Sequence, residues 1–272
     1  MATVDRTGAV ERPVLPGSRR LPWRNLVVLV GNLTQRELAA THRLSAIGWL
    51  WPLARQLTQL AVLVFLFSNV LDLGIEDYAL FVFAGLLVWS WFAAALTAGT
   101  AAHLTHRHFV MSPGFPPIVL PLVAVAVPLL DLVVALPVLL VMLLVEDRLS
   151  ATALLLPLLV VLQFGLTAGL ALLLAAANVY VRDVQQAVAL GLLVLFYLTP
   201  VFYGLKSVPE RFRPLLELNP LTSLVEAVRA VLIDGTLPSP AGVAKVAVAA
   251  VVLLLLGAWA HRRLAPGMVD EL

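Results

Sequence analysis

The chain contains no cysteine and only two lysines, Lys206 and Lys245. The first absence excludes a disulfide framework, a thiolate nucleophile and cysteine-ligated metal. The second excludes a G-x-x-x-x-G-K-[ST] phosphate cradle, because the lysines follow Leu205 and Ala244 rather than glycine. Charge is scarce too, at 12% of residues against about 25% in a soluble domain. No G-x-S-x-G nucleophile elbow occurs, and no inverted repeat is visible. What is present in excess is apolar surface: 61% of residues are hydrophobic, with a mean hydropathy of +0.98. A soluble protein so composed would expose patches beyond what solubility allows. The composition is that of an all-α, polytopic integral membrane protein.

Residues 1–22 carry Arg6, Arg12, Arg19 and Arg20 among Pro13, Pro16 and Pro22, with no apolar core of signal-peptide length. They read as a disordered cytoplasmic tail. Over 23–41, Trp23, Leu26, Val27, Val30, Leu33 and Leu38 fall near helical spacing, with Arg24, Asn25, Asn32, Gln35 and Arg36 mostly between them. That suits an amphipathic helix lying in the membrane surface. An amphipathic helix packed on another protein gives the same pattern.

A basic approach from Arg43 ends at Ser45, Trp49-x-Trp51-Pro52 follows, and the chain then runs apolar to Leu71. As a helix, residues 47–71 would be ~37 Å long at ~1.5 Å per residue, enough to cross a ~30 Å hydrocarbon core. Its tryptophans would sit at the headgroup boundary. Further spans are predicted at 79–102, 118–145, 151–177, 184–204 and 241–260. The third of the six is interrupted by Pro121, Asp131 and Pro137. Asp131, bare in mid-span, would be costly and is expected to be paired or protonated. Pro200 removes a helix hydrogen bond, so a kink is expected in the fifth span. Residues 205–240 are amphipathic rather than spanning. The spans make one six-helix transmembrane unit over 43–261, and 262–272 read as a cytoplasmic tail.

Orientation follows from loop lysine and arginine. With the N-terminus inside, eleven arginines are internal: seven before the first span, then Arg107, Arg182, Arg262 and Arg263. Five basic residues are external: Arg148, Lys206, Arg211, Arg213 and Arg229. Six spans with both termini cytoplasmic is the consistent arrangement.

Several motifs are familiar. Arg43-x-Ser45-x-x-Gly48-x-x-Trp51-Pro52 before a span resembles the approach to the first helix of type-2 ABC transporter permeases, and most closely the polysaccharide exporters. Leu80-Phe81-x-x-x-Gly85-Leu86-x-x-Trp89 resembles their second helix, and Phe115-Pro116 with Leu120-Pro121 the start of the third. Asp183, Tyr197-x-x-Pro200-Val201-x-Tyr203, Val208-Pro209, Asn219-Pro220-Leu221 and Arg229 resemble the C-terminal signature. The likeness covers about 25–260. It departs at His103, His106, Arg107 and His108, where the family more often has asparagine or lysine.

The resemblance implies export of a lipid-linked glycan such as O-antigen or teichoic acid across a bacterial cytoplasmic membrane. It implies two copies of this chain, with the path between them, and two ABC ATPase subunits that hold the ATP and Mg. No cofactor is expected in this chain, and nucleic acid is not an expected partner. It further implies a coupling helix in the His103–Pro117 loop (His103, His106, Arg107, His108, Phe115, Pro116) and re-entrant gate helices in 205–240. An exporter of small hydrophobic drugs is the alternative within the family. An intramembrane glycan transferase would need converging carboxylates or a partnered histidine.

The residues leave other choices open. Trp51, Arg55, Thr58 and Gln59 share one helical face, fit for a wet path inside a bundle. Arg55 suits a lipid pyrophosphate, or it snorkels to the interface. Phe196, Tyr197, Phe202 and Tyr203 can stack on sugar rings or form an interfacial aromatic belt. The His103–Pro117 stretch is equally a plain turn. Its histidines lack a nearby carboxylate or cysteine, which weighs against a metal site. Asn219 as N-cap with Pro220 at the first position starts a helix to about Ile233. Leu221, Leu224, Val225, Val228 and Leu232 form its apolar stripe, with Glu226 and Arg229 on the polar side. Changes at those two should alter export rather than insertion.

Overall fold

The computed structural model describes residues 23–42, 50–70 and 74–272. The expected tail 1–22, the approach motif at 43–49 and the acidic Asp72 lie outside the described residues. All regular structure among the described residues is helical. Among the described residues, four segments are long and apolar enough to cross a membrane: Tyr78–Thr105, Val119–Val145, Ala151–Tyr180 and Pro240–Ala265.

The hub is α3 (Tyr78–Thr105), an apolar, proline-free helix buried nearly all round. A helix apolar on every side belongs in the middle of a bundle. Around it lie α2 (Trp51–Asn69), α5 (Val119–Ala126), α6 (Leu129–Val145), α7 (Leu156–Tyr180), α8 (Val184–Leu198) and α10 (Pro220–Leu232). Helix α1 (Trp23–His42) rests on α5, and α11 (Pro240–Glu271) packs chiefly along α7. Two short helices remain, α4 (Arg107–Val110) and α9 (Arg213–Leu218). Buried amides tie the spans: Gln163 Nε2 donates to the Val88 carbonyl at 2.8 Å and Asn178 Nδ2 to that of Thr100 at 3.0 Å. Such polar contacts hold helices together where lipid offers no hydrophobic drive.

The third predicted span is two helices. The break falls at Pro128, not at Pro121 or Pro137. Pro121 sits near the start of α5, where a missing N–H costs nothing. Pro128 cannot donate to the preceding turn; instead Leu130 N and Asp131 N close short turns onto Val127 and Pro128 carbonyls, each at 3.1 Å. Trp91 Nε1 holds the Val125 carbonyl at 3.2 Å beside the break. Asp131 thus lies in the first turn of α6, a position the helix dipole favours for a carboxylate.

The fifth predicted span differs as well. Helix α8 stops at Leu198, so Pro200 follows a helix end instead of kinking one. Its 15 residues reach only ~22 Å. Past 261, α11 continues as helix to Glu271, with Met268 buried and the Tyr180 hydroxyl donating to the Leu264 carbonyl at 2.7 Å.

The bundle has two distinct ends. At one, Arg148 pairs with Asp77 at 2.7 Å and Glu76 at 3.8 Å, and Thr152 Oγ1 donates to the Val231 carbonyl at 2.7 Å. At the other lie α4, the start of α5 and the C-terminal turns of α7 and α11.

Candidate functional site

After α8 the backbone leaves helical geometry over residues 199–212, apart from two short 3-10 turns. Unpaired backbone is expensive at membrane depth and persists only where other groups satisfy it. Here side chains do so. Thr199 is fully buried, donates to the Leu195 carbonyl at 2.8 Å and accepts from Asn219 Nδ2 at 3.0 Å. Tyr78 donates to the Phe202 carbonyl at 2.8 Å, and Tyr203 to the Tyr197 carbonyl at 2.8 Å. Arg213 takes the carbonyls of Val208 and Lys206 at 2.9 and 3.0 Å.

Arg229 is the centre of this bracing. The sequence suggests a polar face, yet the residue is only 3% exposed. Its Nη2 donates to the Val201 carbonyl at 2.7 Å, its Nε to that of Phe81 at 3.3 Å, and its Nη1 to Glu226 Oε1 at 3.1 Å. The guanidinium carbon lies 3.4 Å from the Phe81 ring centroid, close enough for a cation–π contact. Gly85 makes the approach possible, because a Cβ there would stand 2.7 Å from the Val201 carbonyl oxygen. Asn219 caps α10 as its sequence implies, accepting from Leu221 N at 3.0 Å, with Pro220 in the first turn. The apolar stripe of α10 is buried throughout.

Aromatic side chains surround the same segment. Phe202 sits 5.6 Å from Phe67, 5.6 Å from Phe196 and 5.1 Å from Tyr203, centroid to centroid. Tyr197 is exposed beside them. On α2, Trp51, Arg55 and Thr58 are exposed and Gln59 half-buried, so their shared face points away from the chain's own core. Thr58 Oγ1 donates to the Ala54 carbonyl at 2.8 Å. The buried polar residue of α2 is instead Gln56, hydrogen-bonded to Ser90 on α3.

At the opposite end the expected His103–Pro117 group divides. His106, Arg107, His108, Phe115 and Pro116 are exposed or partly so around α4, with Phe109 and Phe115 rings stacked at 5.1 Å. His103 is inside α3, 1% exposed, and its Nε2 lies 3.2 Å from Nε2 of His261, itself 3% exposed. One ring must therefore carry its proton on Nε2 and the other must leave that atom bare. Replacing either histidine with leucine strands the other's nitrogen in the core. Each single change is expected to cost about 1–3 kcal/mol. The double change His103→Leu/His261→Leu is expected to cost clearly less than the two summed, measured as unfolding of the solubilised protein.

Apolar spans around a break held by buried polar side chains define a polytopic helical membrane protein. The chain belongs to the ABC-2 type transporter family, whose model matches residues 28–233, from α1 through the end of α10. The O-antigen export system permease protein RfbA of Myxococcus xanthus is 34% identical over 235 residues, covering 85% of this chain and 89% of that protein. A protein of the same name from Klebsiella pneumoniae is 29% identical over 207 residues, covering 75% and 80%. The type-2 ABC permease resemblance read from the motifs is thus borne out. The family's proteins are membrane transport subunits, and the ATPase is a separate subunit.

Proposed function

We propose that this chain is the permease subunit of an ATP-driven exporter that moves lipid-linked polysaccharide, O-antigen or a similar glycan, across the bacterial cytoplasmic membrane. The observation that carries this reading is 34% identity to an O-antigen export permease across 85% of the chain. ATP and Mg act on the partner ATPase. Lys206 and Lys245 support that division, since Lys206 sits in a 3-10 turn and Lys245 donates to the Glu217 carbonyl.

In this reading α2, the four long apolar segments and α8 give six spans, with both termini cytoplasmic and α1 in the inner membrane surface. The short α8 reaches across because the braced 199–212 segment, α9 and α10 complete the crossing as re-entrant gate elements. Asn219, Pro220, Glu226 and Arg229 shape that gate. The exposed face of α2 (Trp51, Arg55, Thr58, Gln59) with Tyr197 and Tyr203 lines the path against a second copy of the chain. Helix α4 and its flanks (His106, Arg107, His108, Phe115, Pro116) seat on one of two ATPase subunits. His103 acts from inside, tying the base of α3 to α11.

Arg55→Ala tests the path. Exposed on α2, it is expected to leave expression and folding unchanged and to lower glycan export about tenfold or more, the loss of one charge-assisted phosphate contact. Export is read as surface glycan in cells whose own permease is deleted. Normal export at normal expression would remove Arg55 from the path.

A further inference from the structure

One cavity among the described residues belongs neither to the braced segment nor to the α2 face. It lies at the α4 end, between α1, α3 and α5, and has a volume of about 440 Å³. That is within the range of about 300–1,000 Å³ common for small-molecule sites. Its wall is built of small side chains, Ala98 and Ala101 from α3 and Ala124 from α5, and Leu33 of α1 lies over it. The lip is polar: Arg36 and Glu37 come from α1, His106 and His108 from the α4 turn. Arg107 stands exposed beside them.

An apolar trough with a guanidinium and two imidazoles at its mouth suits an amphiphile with a phosphate head. Inorganic phosphate would leave the alanine wall uncovered. A zwitterionic head would bring a further cation beside Arg36 of the lip and the exposed Arg107 that lies between His106 and His108 in the chain. We infer that the groove holds one acyl chain of an anionic membrane phospholipid, its phosphate on Arg36 and the imidazole N–H groups of His106 and His108. Such a lipid fills the space under α1 and fastens that helix to α3 and α5. It also joins α1 to the α4 turn, so the lipid sits where ATPase motion would be received. The inference rests on the interfacial placement of α1 proposed above.

Native mass spectrometry of the full chain with its ATPase subunit tests this, after delipidation and titration with phosphatidylglycerol, phosphatidylcholine or inorganic phosphate. One phosphatidylglycerol per permease chain is expected, held about tenfold tighter than phosphatidylcholine and not displaced by millimolar-range inorganic phosphate. Ala98→Trp fills the groove and Arg36→Glu reverses the lip; both residues are exposed, so the fold is kept. Each is expected to lower lipid retention about tenfold. Equal retention by wild type and Ala98→Trp would overturn the site. So would equal binding of phosphatidylcholine, displacement by inorganic phosphate, a retained mass matching a lipid-linked pyrophosphate, or loss of the lipid when the ATPase assembles. Because the readout is bound mass and not transport, failure here leaves the exporter reading standing, and failure of export leaves the lipid result standing.

Discussion

Arg229→Leu should leave little folded protein and no export. The leucine leaves the Val201 carbonyl without the donor that holds it at 2.7 Å and removes the cation from the face of Phe81. A buried acceptor stripped of its partner costs about 1–3 kcal/mol, and loss of a desolvated cation–π contact adds about 2 kcal/mol. The stranded Glu226 adds less, because its side chain is 42% exposed and can turn to water. A total near 3 kcal/mol or above is a large share of a typical stability margin. Arg229→Lys should be intermediate: a single ammonium cannot serve Val201, Phe81 and Glu226 together. Glu226→Gln keeps an acceptor in place and should cost under about 1 kcal/mol, as half-exposed pairs do. Denaturant unfolding of the solubilised variants gives the order. A stable Arg229→Leu protein that fails only in export would mean the brace is not structural.

Gly169→Val should be more damaging still. A Cβ at Gly169 would lie 2.5 Å from Leu253 C and Leu254 N of α11. Across the crossing, a Cβ at Gly257 would lie 2.7 Å from the Gly169 carbonyl oxygen and from Leu172 Cβ. The obstacles include backbone, which cannot rotate away, so the cost should exceed the usual overpacking range of about 1–3 kcal/mol. Since α11 is held mainly by α7, forcing the pair apart should release α11 and its His261 from the bundle. A loss of the monodisperse peak in size-exclusion chromatography and faster proteolysis after 239 are expected. Gly191→Ala on α8 is the control: nothing lies within 4 Å of its added Cβ, so the profile should match wild type.

Local features were the legible ones. The Asn219–Pro220 helix start, the apolar stripe of α10 and the apolar character of the spans are each written within a few consecutive residues. The Gly165-x-x-x-Gly169 spacing, which the reading of the spans above did not use, is a sign of close helix approach, although nothing nearby points to Gly257. The break in the third span could not be placed the same way. Pro121, Pro128 and Pro137 look alike in sequence, and only their position in a formed helix distinguishes them. The deeper misses concern partners far along the chain. Arg229 reads as a surface cation by helical spacing, but its two carbonyl acceptors are 28 and 148 residues away. Gln56 meets Ser90 34 residues on, and His103 meets His261 across 158. Periodicity reports which side of a helix is apolar; it does not report what an exceptional polar group on that side will meet.

Reconstituted liposomes give the most direct measurement of the division of labour between permease and ATPase. With this chain, its ATPase subunit and a lipid-linked glycan, transport should begin on ATP addition. It should cease when the ATPase's phosphate-binding lysine is replaced, and be absent with this chain alone. Glycan movement by the isolated chain, or movement indifferent to ATP, would contradict it.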